Sequence, residues 1–548
     1  MYQTSAAQML INKFKFQIKE ENIMRKRIVA VLLAGTMAAG LLAGCGNSGG
    51  SGGGTEKEGE GSDVVEVNFY VPAGTINDQD RIMEKVNEVT EKEIGVHLNL
   101  NSTASDYQAI QLMIDTGDDW DMAFTSNWLG DYFGNAQDGA FADLTDLLPK
   151  LAPETYSTIP ESLWEGMKVD GKIYGIVNYQ LFGSSKKIGL RLRKDIAEEV
   201  GFDWQSLKGM EIFDALNKIE TEYLAPAMAA HPDMIGWEAQ NGSNLFSQAQ
   251  AAQFFNCEYV GDSVEGSVGW INFDDPTTVF NQYATDEFME YCKMMRRWYE
   301  AGYIQPDAAT IIDSSADRQA ARFLCEVALG WPDDVDFPVD KGMSMVTDIT
   351  QAPAVEVSLT DLIMPAGAGP TAAVAINAES ENIEKCVELM ELLNTDDDLY
   401  KLLCYGEEGV DYSWDDAGNL VYTDGGYFIN YNDYMIGQSY DADGDFSRTP
   451  QPKNERGKQS EEMYKIVYEG DQEAEASPLS GFVFDPSNVQ TEIANVTSVV
   501  KEMQKSLVTG SVDPETMVPQ FLERLQSAGV DKIIAEKQAQ LDAWNASK

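Results

Sequence analysis

The sequence predicts an α/β protein of two lobes, each a mainly parallel sheet flanked by helices. Three observations predict it. Strand and helix patterns alternate over residues 64–124, and strand-helix-strand order is the signature of a parallel sheet. A second run of extended and helical segments begins at Ile188. Extended stretches at 169–177 and 371–376 then lead out of the first lobe and back into it.

The chain begins with processing signals. Arg25-Lys26-Arg27 precedes an apolar run from Ile28 to Ala43, which ends in Leu42-Ala43-Gly44-Cys45. About 16 apolar residues after a basic start make a secretory signal rather than a membrane span. Cys directly after Ala-Gly resembles the lipobox of bacterial lipoproteins, which implies a diacylglyceryl group on Cys45 and attachment to the membrane. Met24 is read as the start, with 1–23 an upstream extension. Residues 46–63, rich in Gly, Ser and Glu, read as a flexible tether. About 485 residues remain, enough for two or three domain-sized units.

The first strand is expected over 64–71, closed by Pro72-Ala73-Gly74. Ile82, Val86 and Val89 stand at i, i+4 and i+7 and mark a helix. Residues 96–100 alternate as a half-buried strand, Ile110, Met113 and Ile114 mark a second helix, and 120–124 form a third strand. Asp170-Gly171 is a hairpin turn. The second lobe opens at 188–192, with helices near 196–200, 213–222, 283–299 and 317–323. A strand at 325–330 delivers Trp331-Pro332 to its carboxyl end. After the return at 371–376, Ile383, Val387, Met390 and Leu393 share one helix face. In the tail, Val489, Ile493, Val496, Val500 and Met503 make a stripe, and Asp513-Pro514-Glu515 opens the next helix, which Gly529 closes.

Composition narrows the function. With 39 Lys+Arg against 90 Asp+Glu, the net charge is −51, which repels nucleic acid and anionic lipid. Nucleic acid is therefore excluded as a partner. Cys257, Cys292, Cys325, Cys386 and Cys404 are scattered, in no metal-ligand spacing, and read as buried thiols. Only His97 and His231 are available for histidine chemistry. No cofactor motif is present. Asp441-Ala442-Asp443-Gly444-Asp445 is a weak calcium candidate, since Pro452 stands where a bidentate Glu belongs; an acidic turn is the favoured reading.

Several segments carry a family resemblance. Gly117-Asp118-Asp119-Trp120-Asp121, the run from Asp138-Gly139-Ala140-Phe141 to Thr145-Asp146-Leu147, and Asp170-Gly171-Lys172-Ile173-Tyr174-Gly175-Ile176 resemble elements of the extracellular solute-binding proteins of ABC importers. Val177 stands where that family usually has Pro. Tyr405-Gly406-Glu407-Glu408-Gly409 and Phe484-Asp485-Pro486-Ser487 are similar to the LipO-like (LplA-like) subgroup of sugar importers. The resemblance implies a periplasmic-binding-protein-like fold joined by a multi-strand hinge. It implies a monomer that captures a carbohydrate, an oligosaccharide, between the lobes. Delivery is to an ABC permease at the extracellular face of the cell membrane. The lobe boundaries expected are 64–178 with 372–430, and 179–371 with 431–548.

In open α/β sheets ligands bind beyond the carboxyl ends of strands, and sugars need flat aromatic faces plus fixed polar groups. The platform candidates are Trp128, Trp331, Tyr179, Trp237, Trp270 and Tyr70. The hydrogen-bonding candidates are Asn127, Asn178 and Glu408. Arg191 and Arg193 are either a clamp for a uronate or ion pairs within the lobe, the latter favoured. A peptide or other polar solute remains an alternative. So does a carbohydrate-active surface enzyme, although the globular part carries no strand-borne Gly-x-Ser-x-Gly elbow, His-Glu-x-x-His or P-loop.

Overall fold

The computed structural model describes residues 64–103, 108–117, 119–127, 130–180, 184–239, 244–246, 250–261, 266–311, 314–329, 352–429, 435–440, 444–445 and 447–548. The first lobe opens with β1 (Val65–Val71), whose alternate residues Val67, Phe69 and Val71 are buried. Helix α1 (Gln79–Ile94) buries Ile82 and Val86 and ends at Gly95, left-handed at φ 68°. Then come β2 (Val96–Ser102), α2 (Gln108–Thr116) and β3 (Met122–Thr125). Strand β1 pairs in parallel with both β2 and β3, as the alternation of strand and helix predicts.

Lys168–Val169 and Lys172–Ile173 form the expected hairpin. Asp170 and Gly171 both have positive φ, 50° and 79°, which the right-handed twist of a two-residue hairpin demands. Strand β4 (Ile176–Val177) follows, and the chain leaves the first lobe. The second lobe contains β5 (Ile188–Arg193), β6 (Ile235–Trp237), α3 (Asp286–Glu300), β7 (Phe323–Leu329) and β8 (Ala354–Ser358). Helix α3 starts at Thr285, whose hydroxyl accepts from the Phe288 N–H at 3.2 Å. Strand β9 (Ala373–Ile376) returns to the first sheet, antiparallel to β3 and β4.

The first sheet therefore runs β2-β1-β3-β9-β4 and the second β8-β5-β7-β6. The second sheet is mixed: β5 is antiparallel to β7 and β8, while β7 and β6 are parallel. Each sheet has its own hydrophobic core. Helix α4 (Ile383–Thr395) buries Val387, Met390 and Leu393 on the first core, and α5 (Asp397–Tyr405) follows it. The terminal helices α6 (Glu455–Glu473), α7 (Gln490–Val508), α8 (Pro514–Ala528) and α9 (Val530–Ser547) complete the chain. Asp513 caps α8, Pro514 takes its first position and Gly529 ends it at φ 105°, as the sequence predicts.

One boundary differs from expectation. Met435, Ile436 and Tyr440 lie in the first core, with Tyr464 and Tyr468 of α6 packed against it; the second core resumes at Leu479. The segment beyond 431 stays with the first lobe because α4 holds it. The Asn394 side chain accepts from the Gln438 N–H at 3.0 Å, and buried Arg448 donates to the Asn394 carbonyl at 2.7 Å.

Three segments connect the lobes, and they are tied to one another. Lys186 and Ile363 exchange backbone hydrogen bonds of 2.8 and 3.0 Å. Ile363–Met364 pairs in parallel with Glu475–Ala476. From the first lobe, the buried Asp471 carboxylate accepts from the N–H groups of Ser184 (2.8 Å) and Ser185 (2.7 Å) and from the Ser185 hydroxyl. From the second lobe, Glu258 accepts from the Ala366 N–H at 2.9 Å and from the Ser477 hydroxyl. A short multi-strand hinge results.

Candidate functional site

The carboxyl ends of β1, β2 and β3 lie at the hinge, because Thr125 pairs with Ala373, the first residue of the returning strand. The loops there are tightly tied. The Thr103 N–H donates to the Val71 carbonyl at 2.9 Å, the Gly74 N–H to the Thr103 carbonyl at 3.0 Å, and the Ser102 hydroxyl to the Gly74 carbonyl. Asn127 is exposed at this end. Its N–H donates to the Pro370 carbonyl at 2.7 Å and its side-chain amide to the Gly367 carbonyl at 2.8 Å. A Cβ on Gly367 would lie 2.9 Å from that amide nitrogen and displace the Asn127 side chain. Asn127 thus joins the first lobe to a crossing segment. Tyr70 is half-buried against the first core one residue before the end of β1.

A cavity of about 610 Å³ opens in the first lobe, with Lys401, Glu408, Tyr412, Trp414, Lys453 and Lys458 among its walls. Its location follows from α1, which leaves the carboxyl end of β1. Arg81 in the first turn of α1 pairs with Glu407 at 2.5 Å and Asp411 at 2.7 Å, and Lys85 pairs with Glu407 at 2.5 Å. Asp411 also accepts from the N–H groups of Glu407 (2.8 Å) and Tyr427 (2.9 Å). Burial alone would raise the Asp411 carboxyl, but the Glu407 N–H and the Arg81 guanidinium outweigh it and hold it below the usual carboxylate range. These bonds fasten 407–411 to the end of the sheet where the hinge lies.

From there a two-stranded hairpin, Tyr412–Trp414 with Leu420–Tyr422, projects into the cavity wall. The Trp414 indole N–H donates to the Gln451 carbonyl at 2.8 Å. Tyr412 meets Trp414 edge-on, centroids 5.7 Å apart. The Lys453 ammonium lies 3.2 Å from the centre of the Trp414 ring and 3.9 Å from Glu408.

The remaining predicted residues separate by burial. Trp270 is 2% exposed and stacks on Phe246 with 5.5 Å between centroids; Trp237 is buried edge-on to Trp298. Tyr179 is buried against Tyr440 at 5.2 Å and Tyr468 at 6.1 Å. These three rings turn no face to solvent and serve the cores and the hinge, in place of the platform role expected. Polar, Gly-containing neighbours in the sequence concealed that Trp237 and Trp270 are strand residues facing inward. Asn178 is likewise buried, its N–H donating to the Ala372 carbonyl at 2.9 Å. Trp128, Trp331, Cys45, Asp441 and Asp443 lie outside the described residues. Asp445 is described: it lines the same cavity and accepts from the Ser447 N–H at 2.8 Å, as an acidic turn does. Among the described residues no group of three or more His, Cys, Asp or Glu is placed to hold a metal.

Arg191 and Arg193 make ion pairs within the second lobe. Arg191 is buried between Glu326 (2.5 Å) and Glu356 (2.7 Å from Nε), three neighbours in register across β7, β5 and β8. Arg318 also reaches Glu326, at 3.0 Å. Arg193 pairs with Asp195 at 2.7 Å. The five described cysteines are buried and in no disulfide, and burial pushes Cys257 up to about 12. Among the described residues no helix is long and apolar enough to cross a membrane.

Trp414, Tyr412 and Lys453 were not among the sequence candidates. Their one sequence signal is that they follow the Gly406-Glu407-Glu408-Gly409 segment.

Comparison with known proteins bears on this arrangement. Residues 478–546 match a family described as a domain of unknown function (DUF3502). The chain is 27% identical over 516 residues to a carbohydrate ABC transporter substrate-binding protein of Streptococcus pneumoniae, covering 93% of this chain and 96% of that one. Its fold is that of two-lobed solute-binding proteins. The N-glycan transport solute-binding protein of S. pneumoniae superposes with a TM-score of 0.67 at 24% identity, over 87% of this chain and 98% of that chain. Its complex with Man5GlcNAc gives 0.55 at 25% identity, over 88% and 99%. An S. pneumoniae substrate-binding protein in complex with kestose gives 0.54 at 16%, over 88% and 100%.

Proposed function

We propose that this chain is the solute-binding component of an ABC importer. It captures a carbohydrate, an oligosaccharide, between its lobes and hands it to a membrane permease. The observation that carries the reading is likeness to the carbohydrate transporter protein along 93% of the chain, rather than over one domain. The fold supplies the matching mechanics. Two separate cores joined by three short crossing segments open and close as a hinge. A sugar touching both lobes favours the closed form by its extra affinity for that form.

The chemistry of the hinge-side face suits a sugar. Exposed Asn127 and Glu408 offer hydrogen-bonding groups, and Tyr70 is the nearest described aromatic candidate at the strand ends. Trp128 and Trp331 follow strands that end at the hinge, β3 and β7, and remain platform candidates on that ground. A lipid on Cys45 and the tether after it would keep the binding lobes at the outer face of the membrane, where effective concentration at the permease is high. The LipO-like features at 405–409 and 484–487 support membership of that subgroup of importers.

The test is a thermal-shift screen of the protein against a glycan array. The expected result is a rise in unfolding temperature with at least one oligosaccharide, together with an unchanged count of reducing ends after incubation. Absence of a shift for every glycan, or a shift with peptides alone, refutes the carbohydrate reading. A growing reducing-end count shows an enzyme instead.

A further inference from the structure

We infer that Trp414 is the stacking platform of a sugar subsite in the first lobe, and that Lys453 is its displaceable cap. The inference rests on the carbohydrate reading above and locates one of its contacts. Trp414 is fixed in three ways. Its indole N–H is bonded to the Gln451 carbonyl at 2.8 Å, Tyr412 holds it edge-on at 5.7 Å, and its strand pairs with Leu420–Tyr422. A ring held at its edge has a fixed flat face, the geometry that the apolar C–H face of a pyranose requires. Trp414 lines a cavity of about 610 Å³, with room for more than one sugar ring.

In this structure the Lys453 ammonium covers the face at 3.2 Å. The cap is loosely held. The Lys453 side chain is 59% exposed, and Glu408, its one ion-pair partner among the described residues, stands 3.9 Å away. An exposed cation–π contact is worth only about a two- to fivefold change in an equilibrium. A sugar ring stacking on the indole and bonding Glu408 therefore displaces it, and the ammonium moves into water or toward the Glu408 carboxylate. Until then the cap shields an apolar face that would otherwise be open to solvent. Glu408, expected from the sequence as a hydrogen-bonding residue, lies in the same cavity wall.

The experiment measures affinity for Man5GlcNAc by calorimetry in the wild-type protein and in Trp414→Ala, Trp414→Phe, Lys453→Ala and the Trp414→Ala/Lys453→Ala double variant. The expected results are a loss of tenfold or more for Trp414→Ala and an intermediate loss for Trp414→Phe, whose smaller ring keeps the hairpin packed. Lys453→Ala should gain about two- to fivefold when Trp414 is present and nothing when it is absent. Unchanged affinity in both Trp414 variants overturns the platform. Weaker binding by Lys453→Ala, or an equal gain in the double variant, overturns the cap. If the wild-type protein binds neither Man5GlcNAc nor any glycan of the array, the carbohydrate reading fails and takes this inference with it.

Discussion

Glu258→Gln should make the protein less sensitive to pH. The Glu258 carboxyl is desolvated between two crossing segments, where it accepts from the Ala366 N–H at 2.9 Å and from the Ser477 hydroxyl. Burial pushes it up from 4.5 to about 7, while those two donors act in the opposite direction. A carboxyl that holds its proton more tightly when folded stabilises the fold fully below about 4.5. That stability is lost as pH rises through about 7. Ionising at about 7 instead of 4.5 costs about 3 kcal/mol of folding free energy. Glutamine keeps an oxygen for the Ala366 N–H and offers a donor to the Ser477 oxygen, but it cannot ionise. The two proteins should therefore match below about pH 4.5, draw apart as the pH rises from there to about 7, and stay apart by a constant amount above it. For a folded body of about 485 residues, 3 kcal/mol corresponds to about 3 °C in Tm. Scanning calorimetry of both proteins from pH 5 to 8.5 measures the gap, and repulsion among the 90 acids cancels in the difference. Parallel Tm curves would refute the reasoning, since they would mean that the Glu258 carboxyl ionises as freely in the folded protein as in the unfolded chain.

Two further outcomes follow from the same accounting of buried charge. Arg191→Met should destabilise by about 3–5 kcal/mol in urea titration, because it removes the guanidinium that Glu326 and Glu356 share in the second sheet; a loss below 1 kcal/mol would show that water reaches them. Asp471→Asn weakens charge-assisted bonds to the Ser184 and Ser185 N–H groups, so it should cost about 1.5–3 kcal/mol. Faster hydrogen exchange confined to those two amides is the expected signature, and exchange unchanged there would count against Asp471 as the tie between crossing segments.

Much of the fold was legible because its signals are local. The stripe of Ile82 and Val86, the alternation of Val67, Phe69 and Val71, the Asp170-Gly171 turn and the Asp513-Pro514 cap each depend on neighbours a few residues away. Backbone sterics and side-chain periodicity act at that range. Sequence also pointed to Arg191 and Arg193 as ion-pair formers among so many acids.

The candidate site was less legible, because burial is set by what packs on a residue from far along the chain. Trp237 and Trp270 read as loop residues, yet Trp298 and Phe246 close over them. Residues 435–440 read as part of the second lobe, yet Asn394 and the first core claim them. Trp414 gave no sign of lying near the hinge-side face until Arg81 reached across 326 and 330 positions to Glu407 and Asp411. By itself the sequence determined the elements, their order and the α/β class, since these follow from short-range patterns. Only the tertiary structure decided which aromatic rings became core and which came to line a cavity. That choice depends on contacts between segments hundreds of residues apart, and no local pattern encodes them.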